Sequence, residues 1–142
     1  TMQAQSTTFA PIPSSAPQHA LPRKFVEPIL YLADRITHVG SGMREARSML
    51  REMAQSIGMG DYPEQHWFRE LNDQRACELL DVETAKKGAL VLLALLIKCD
   101  PKSGEAHRNF FTRIRTKMAA DPVTVPVSID QHRRLAESYL VN

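Results

Sequence analysis

The chain has 142 residues, of which 43% are hydrophobic and 24% charged, values that fit one globular domain able to build a core without disulfide or metal staples. Eighteen Lys plus Arg against sixteen Asp plus Glu give a net charge of +2, too small for the basic field that non-specific nucleic-acid binding requires. Two cysteines, Cys77 and Cys99, show no CxxC or Cys/His ligand spacing, which favours thiols in a reducing, cytoplasmic setting over a disulfide framework.

Residues 1–23 hold Pro11, Pro13, Pro17 and Pro22 among Ser, Ala, Thr and Gln, a composition that forms no apolar stripe and reads as a disordered tail or linker. No charged segment followed by an apolar run stands near the start, so no secretory signal is expected there. Residues 24–142 read as one all-helical domain. Glu27 and Pro28 are expected to open its first helix, with Ile29, Leu32, Ala33 and Ile36 at helical spacing. After Gly40-Ser41-Gly42 a second helix carries Met43, Ala46, Leu50, Met53, Ala54 and Ile57 on one face and stops at Gly58, with Met49 off that face as an exposed contact. Asp61 and Pro63 restart a helix whose buried side is Trp67, Phe68 and Leu71, and a shorter helical piece follows over residues 76–80.

Asp81 is expected to cap the next helix, which carries the strongest apolar run of the chain, residues 89–97. That run is far short of the ~20 residues needed to cross a bilayer. A helix apolar nearly all round belongs in the middle of a bundle. Cys99-Asp100-Pro101 stops it, Ser103 is the expected cap of its successor, and Ala106, Phe110, Ile114 and Met118 recur at helical spacing. Residues 123–127 alternate Val with Pro and Thr between Pro122 and Pro126, which suits an extended connector and not a sheet strand. Ser128-Ile129-Asp130-Gln131 has capping-box spacing, and Ile129, His132, Leu135, Ala136 and Tyr139 form the last stripe. The expected fold is all-α, a compact bundle of six to seven helices around a central apolar helix.

Ala33-Asp34 and Cys99-Asp100 recur at the same offset as Glu64-Gln65-His66 and Asp130-Gln131-His132, a weak internal repeat. In each half an apolar helix runs into an acidic break and then an amphipathic helix. The first half reads Ala33-Asp34-Arg35-Ile36-Thr37, then Glu45, then Ser56-Ile57-Gly58; the second reads Leu96-Ile97-Lys98-Cys99-Asp100, then Glu105. This arrangement resembles the TerB-like (tellurite-resistance protein B) family of small helical domains. Arg35 and Pro101 stand where the family pattern has Gly after each Asp, and the first turn is longer. The resemblance implies a stress-linked accessory domain with acidic, cation-binding turns.

Asp34, Glu45, Asp100 and Glu105 are accordingly the candidate ligands for a divalent cation, since hard ions need several converging carboxylate oxygens. The competing reading makes the aspartates helix ends and the glutamates solvated side chains. Asp34 and His38 share a helix face, while His19, His66, His107 and His132 are scattered, with no HExxH spacing. Cys77 and Cys99 lie among apolar residues, where thiols are inert. No catalytic signature stands out, and no enzyme activity, catalytic residue or resident cofactor is expected beyond a candidate divalent cation. Arg108, Arg113, Arg115 and Lys117 spread around their helix and give no strong nucleic-acid signal. The expected function is therefore a non-enzymatic interaction or scaffold module with a protein partner or a second copy of itself. The alternatives are a divalent-cation sensor using the acidic turns and a helical nucleic-acid-associated protein working through residues 108–134.

Overall fold

The computed structural model describes residues 20–40, 42–60 and 70–141. Among these the fold is all-α and compact, with six helices and no strand: α1 (Arg23–Thr37), α2 (Arg44–Ser56), α3 (Asp73–Leu79), α4 (Glu83–Cys99), α5 (Glu105–Met118) and α6 (Ile129–Leu140). The helix expected from Asp61 and Pro63, with Trp67 and Phe68, lies outside the described residues, as do residues 1–19 of the expected tail. No described helix is long and apolar enough to cross a membrane.

Packing begins earlier than residue 24. Leu21 is buried, and its N–H donates to the Tyr139 carbonyl at 2.9 Å. An apolar side chain that reaches the core, with a satisfied amide, outweighs the proline-rich composition around it. Helix α1 starts at Arg23 behind Pro22, so Pro28 lies inside the helix and not in its first turn. Pro28 is buried, and its ring packs in the core while one intrahelical hydrogen bond is forgone.

The apolar stripes of α2 and α5 largely fall where their spacing places them: Ala46, Leu50, Met53 and Ala54 on α2, and Phe110, Ile114 and Met118 on α5, are buried, whereas Ile57 is half-buried and Ala106, in the first turn of α5, is exposed. Met49 is half-buried and packs against the core instead of standing exposed. In α4, Ala85, residues 88–93, Leu95 and Leu96 are all buried. This helix packs against α1, α2, α5 and α6, but α1 has as many neighbours, touching α2, α3, α4 and α5. The interior is thus organised about a pair of helices, α1 and α4.

Caps deviate from the residue-type expectation. Val82, not Asp81, precedes the first turn of α4, and no side chain caps it. Gly104 takes that place before α5, while the Ser103 hydroxyl donates to the Ile97 carbonyl at 2.7 Å. Where the backbone turns decides which residue can reach the free amides, and composition alone does not fix that. Ser128 does cap α6, its oxygen accepting from the Gln131 N–H at 3.3 Å, and Asn72 caps α3 through the Arg75 N–H at 2.7 Å.

The connector over residues 119–128 is extended. It leaves α5 at Ala119, whose φ of 52° is left-handed, and passes the N-terminal end of α4, where Asp121, Pro122 and Val123 face Glu83, Lys86 and Lys87 across a cavity of about 300 Å³. Farther along, the Lys98 ammonium donates to the Pro126 carbonyl and, at 3.5 Å, to that of Val127. Helix α6 then returns antiparallel along α4. The two helices pack tightly at Gly88, where a Cβ would lie 2.9 Å from the Tyr139 ring.

Candidate functional site

The four acidic candidates lie in or beside two inter-helix turns, one from α1 to α2 flanked by Asp34 and Glu45 and one from α4 to α5 bounded by Asp100 and Glu105, and the fold brings these turns side by side. Gly40 and Gly42, at φ of 63° and 57°, let the first turn adopt left-handed backbone that side chains disfavour. Asp100 follows the last residue of α4 and is 2% exposed. Its Oδ2 accepts the Ala46 N–H in the first turn of α2 at 3.0 Å, and its Oδ1 accepts the Lys102 N–H at 2.8 Å. The residue before α2, Met43, offers no side-chain cap, so Asp100 supplies the missing acceptor from across the fold. His107 makes the reciprocal link: its Nδ1 accepts the Gly104 N–H at 3.0 Å and its Nε2–H donates to the Val39 carbonyl at 2.8 Å.

The other three candidates sit differently. Asp34 is half-buried in the last turn of α1, with its Oδ2 3.8 Å from His38 Nδ1. That nitrogen donates to the Asp34 main-chain carbonyl at 2.8 Å. Glu45 and Glu105 are exposed in the first turns of α2 and α5, where a carboxylate complements the positive end of the helix. Asp100 and the first turn of α2, which carries Glu45, therefore meet, but through backbone amides. Among the described residues no three His, Cys, Asp or Glu side chains converge as ion ligands do. Arg35 turns toward α3 and not toward Asp34: its guanidinium holds Asp73 by a forked contact of 3.0 and 3.1 Å. That contact keeps Arg35 more basic than usual. The same guanidinium and that of Arg113 flank the buried Phe110 ring, 5.7 and 5.1 Å from its centroid.

Both thiols are free, Cys77 buried and Cys99 half-buried. Burial pushes each up to about 11, helped by Asp73 at Cys77 and by Asp100 at Cys99, which leaves them protonated and weakly nucleophilic at neutral pH. His132 is fully buried; its Nε2–H donates to the Val91 carbonyl at 2.9 Å, and its Nδ1 has no partner. Burial lowers its pKa, the Lys98 charge adding to the effect while the bond to Val91 opposes it.

A feature that periodicity did not single out lies between α4 and α5. Ala94 and Ile97 on α4 and Phe111 on α5 floor a groove of about 300 Å³, with Thr112 beside them and Lys98 and Arg108 at its edges. Phe111 and Ile97 are half-buried and pack only partly onto the core. Phe111 falls outside the Ala106, Phe110, Ile114, Met118 series; a large apolar residue off a helix stripe is the one signal that could have marked it.

The chain matches no family model, no curated protein and no solved structure.

Proposed function

We propose that this protein is a non-enzymatic helical interaction module that docks a protein partner in the groove between α4 and α5. The observation that carries the reading is the groove itself: Ala94, Ile97 and Phe111 leave apolar surface facing solvent in a concave site, the kind of patch that marks an interaction surface. The reading extends to an accessory domain of TerB-like type in the cytoplasm. It draws support from the paired breaks at Asp34 and Asp100, whose turns lie together, and from two free thiols suited to a reducing compartment. Asp100 favours interaction over cation sensing, because both of its oxygens already accept backbone amides.

Site-specific photo-crosslinking in cells tests the reading, with the reactive residue placed at Ala94, at Thr112, or at Arg75, which is exposed on α3 and is not part of the groove lining. Discrete adducts from the two groove positions alone, unchanged by chelator and moderate salt, are the expected result. Adducts from Arg75 only, or ones that vanish with chelator, would overturn it.

A further inference from the structure

We propose that the α4/α5 groove takes a short acidic segment of a partner protein, an inference that rests on the docking function above and assigns the partner's chemistry. Among the described residues six side chains line the groove: Ala94, Ile97, Lys98, Arg108, Phe111 and Thr112. None is acidic, and the charged ones are both cations. Lys98 is held on its wall by the Pro126 and Val127 carbonyls, which fix the position of the ammonium without cancelling its charge. Arg108, on the opposite wall, is exposed and forms no ion pair among the described residues. Glu105, one turn earlier on α5, lies outside the lining.

An apolar floor between two cationic walls selects a ligand of matching pattern: apolar groups to displace water from Ile97 and Phe111, and carboxylates to meet Lys98 and Arg108. At about 300 Å³ the groove is at the small end of the range for ligand cavities, roughly 300–1,000 Å³. It therefore holds a few apolar side-chain groups of a short segment and not a broad protein face. The valley between two packed helices is also the geometry in which amphipathic helices dock. A nucleic acid fits less well. It calls for a track of cations and exposed stacking rings, whereas the groove offers one cation per wall and a single half-buried ring.

The test is fluorescence anisotropy with a short labelled helical peptide bearing leucines at i and i+4 among glutamates. The same peptide with lysines for glutamates and a single-stranded oligothymidylate serve as the other probes. The full chain is compared with Ala94→Gln, which fills the groove, and Arg108→Glu, which inverts one wall; both sites face solvent, and thermal unfolding verifies that each variant folds. The expected result is binding of the glutamate peptide alone, weakened about tenfold or more by either substitution. Arg108→Glu is further expected to shift preference toward the lysine peptide. Equal binding of both peptides, lost only in Ala94→Gln, overturns the acidic partner while leaving the docking groove intact. Absence of binding by either peptide overturns this inference, and the crosslinking above then decides the docking reading separately. Oligothymidylate that competes with the glutamate peptide assigns the cations to nucleic acid and also overturns the inference.

Discussion

His132 shows how a single side chain can make stability depend on pH. Its neutral ring is fully buried, with Nε2–H satisfied by Val91 and Nδ1 unpaired, so a second proton would place a charge where no acceptor waits. The folded pKa is lowered, and between that value and the ordinary value near 6.5 the unfolded chain binds a proton that the folded chain refuses. This contribution to stability is complete above about pH 6.5 and is lost as pH falls toward the folded value, with a slope of at most about 1.4 kcal/mol per pH unit. His132→Gln retains an amide able to donate to the Val91 carbonyl and does not titrate. Urea unfolding between pH 5 and 8 is expected to show a steeper decline in the parent than in the variant; parallel curves would mean that His132 does not titrate on folding. The histidine was legible as part of the last apolar stripe, but its hydrogen bond was not, because Val91 belongs to another helix 41 positions away.

At the scale of the helices, two contacts decide how elements join. Ala119 ends α5 at φ 52°, a left-handed conformation that costs a residue with a Cβ roughly 1–2 kcal/mol. Ala119→Gly is therefore expected to stabilise the fold by about 0.5–1 kcal/mol, read as a rise in melting temperature. The reverse holds at Gly88, where α6 crosses α4. Alanine is the better helix former by about 1 kcal/mol, yet its Cβ would meet Tyr139 at 2.9–3.1 Å, and both elements are fixed by buried neighbours. Gly88→Ala is expected to destabilise by about 1–3 kcal/mol, with partial recovery on Tyr139→Leu in a double-mutant cycle. Helix stripes were readable because burial on one face imposes a 3.6-residue period on α2 and α5, while α4 was readable as a continuous apolar run. Helix starts were not: Asp81 and Ser103 have capping chemistry, but the backbone turns one residue later in both places. Ile129 likewise fits the stripe of α6 by spacing, yet at the first position of the helix it is 40% exposed.

Across the whole molecule, Asp100 and His107 clasp the turn between α1 and α2 to the turn between α4 and α5. Asp100→Asn leaves one acceptor oxygen for two amides and is expected to cost about 1–3 kcal/mol of stability. Addition of calcium is expected to shift neither protein in urea unfolding. A bound ion at 100-fold excess over its dissociation constant would instead stabilise the parent alone by about 2.7 kcal/mol, and that outcome would restore the acidic turns as a cation site. This clasp could be read from the sequence only as two acidic breaks, since Asp100 and Ala46 are 54 positions apart. The groove was hidden for a different reason: its lining comes from two helices adjacent in sequence, and it exists only once α4 and α5 pack together. The bond between Leu21 and Tyr139 closes the bundle at one corner, so the polypeptide enters and leaves through a shared doorway. A circular permutant that joins residues 141 and 20 by a short bridge and opens the exposed connector near Thr124 would keep every helix in place. A domain with such a doorway can be spliced into a loop of a host protein with little disturbance to either. It then hangs from the host by that corner, where Tyr139 packs beside Gly88, and the groove at Ile97 lies roughly 14 Å farther along α4.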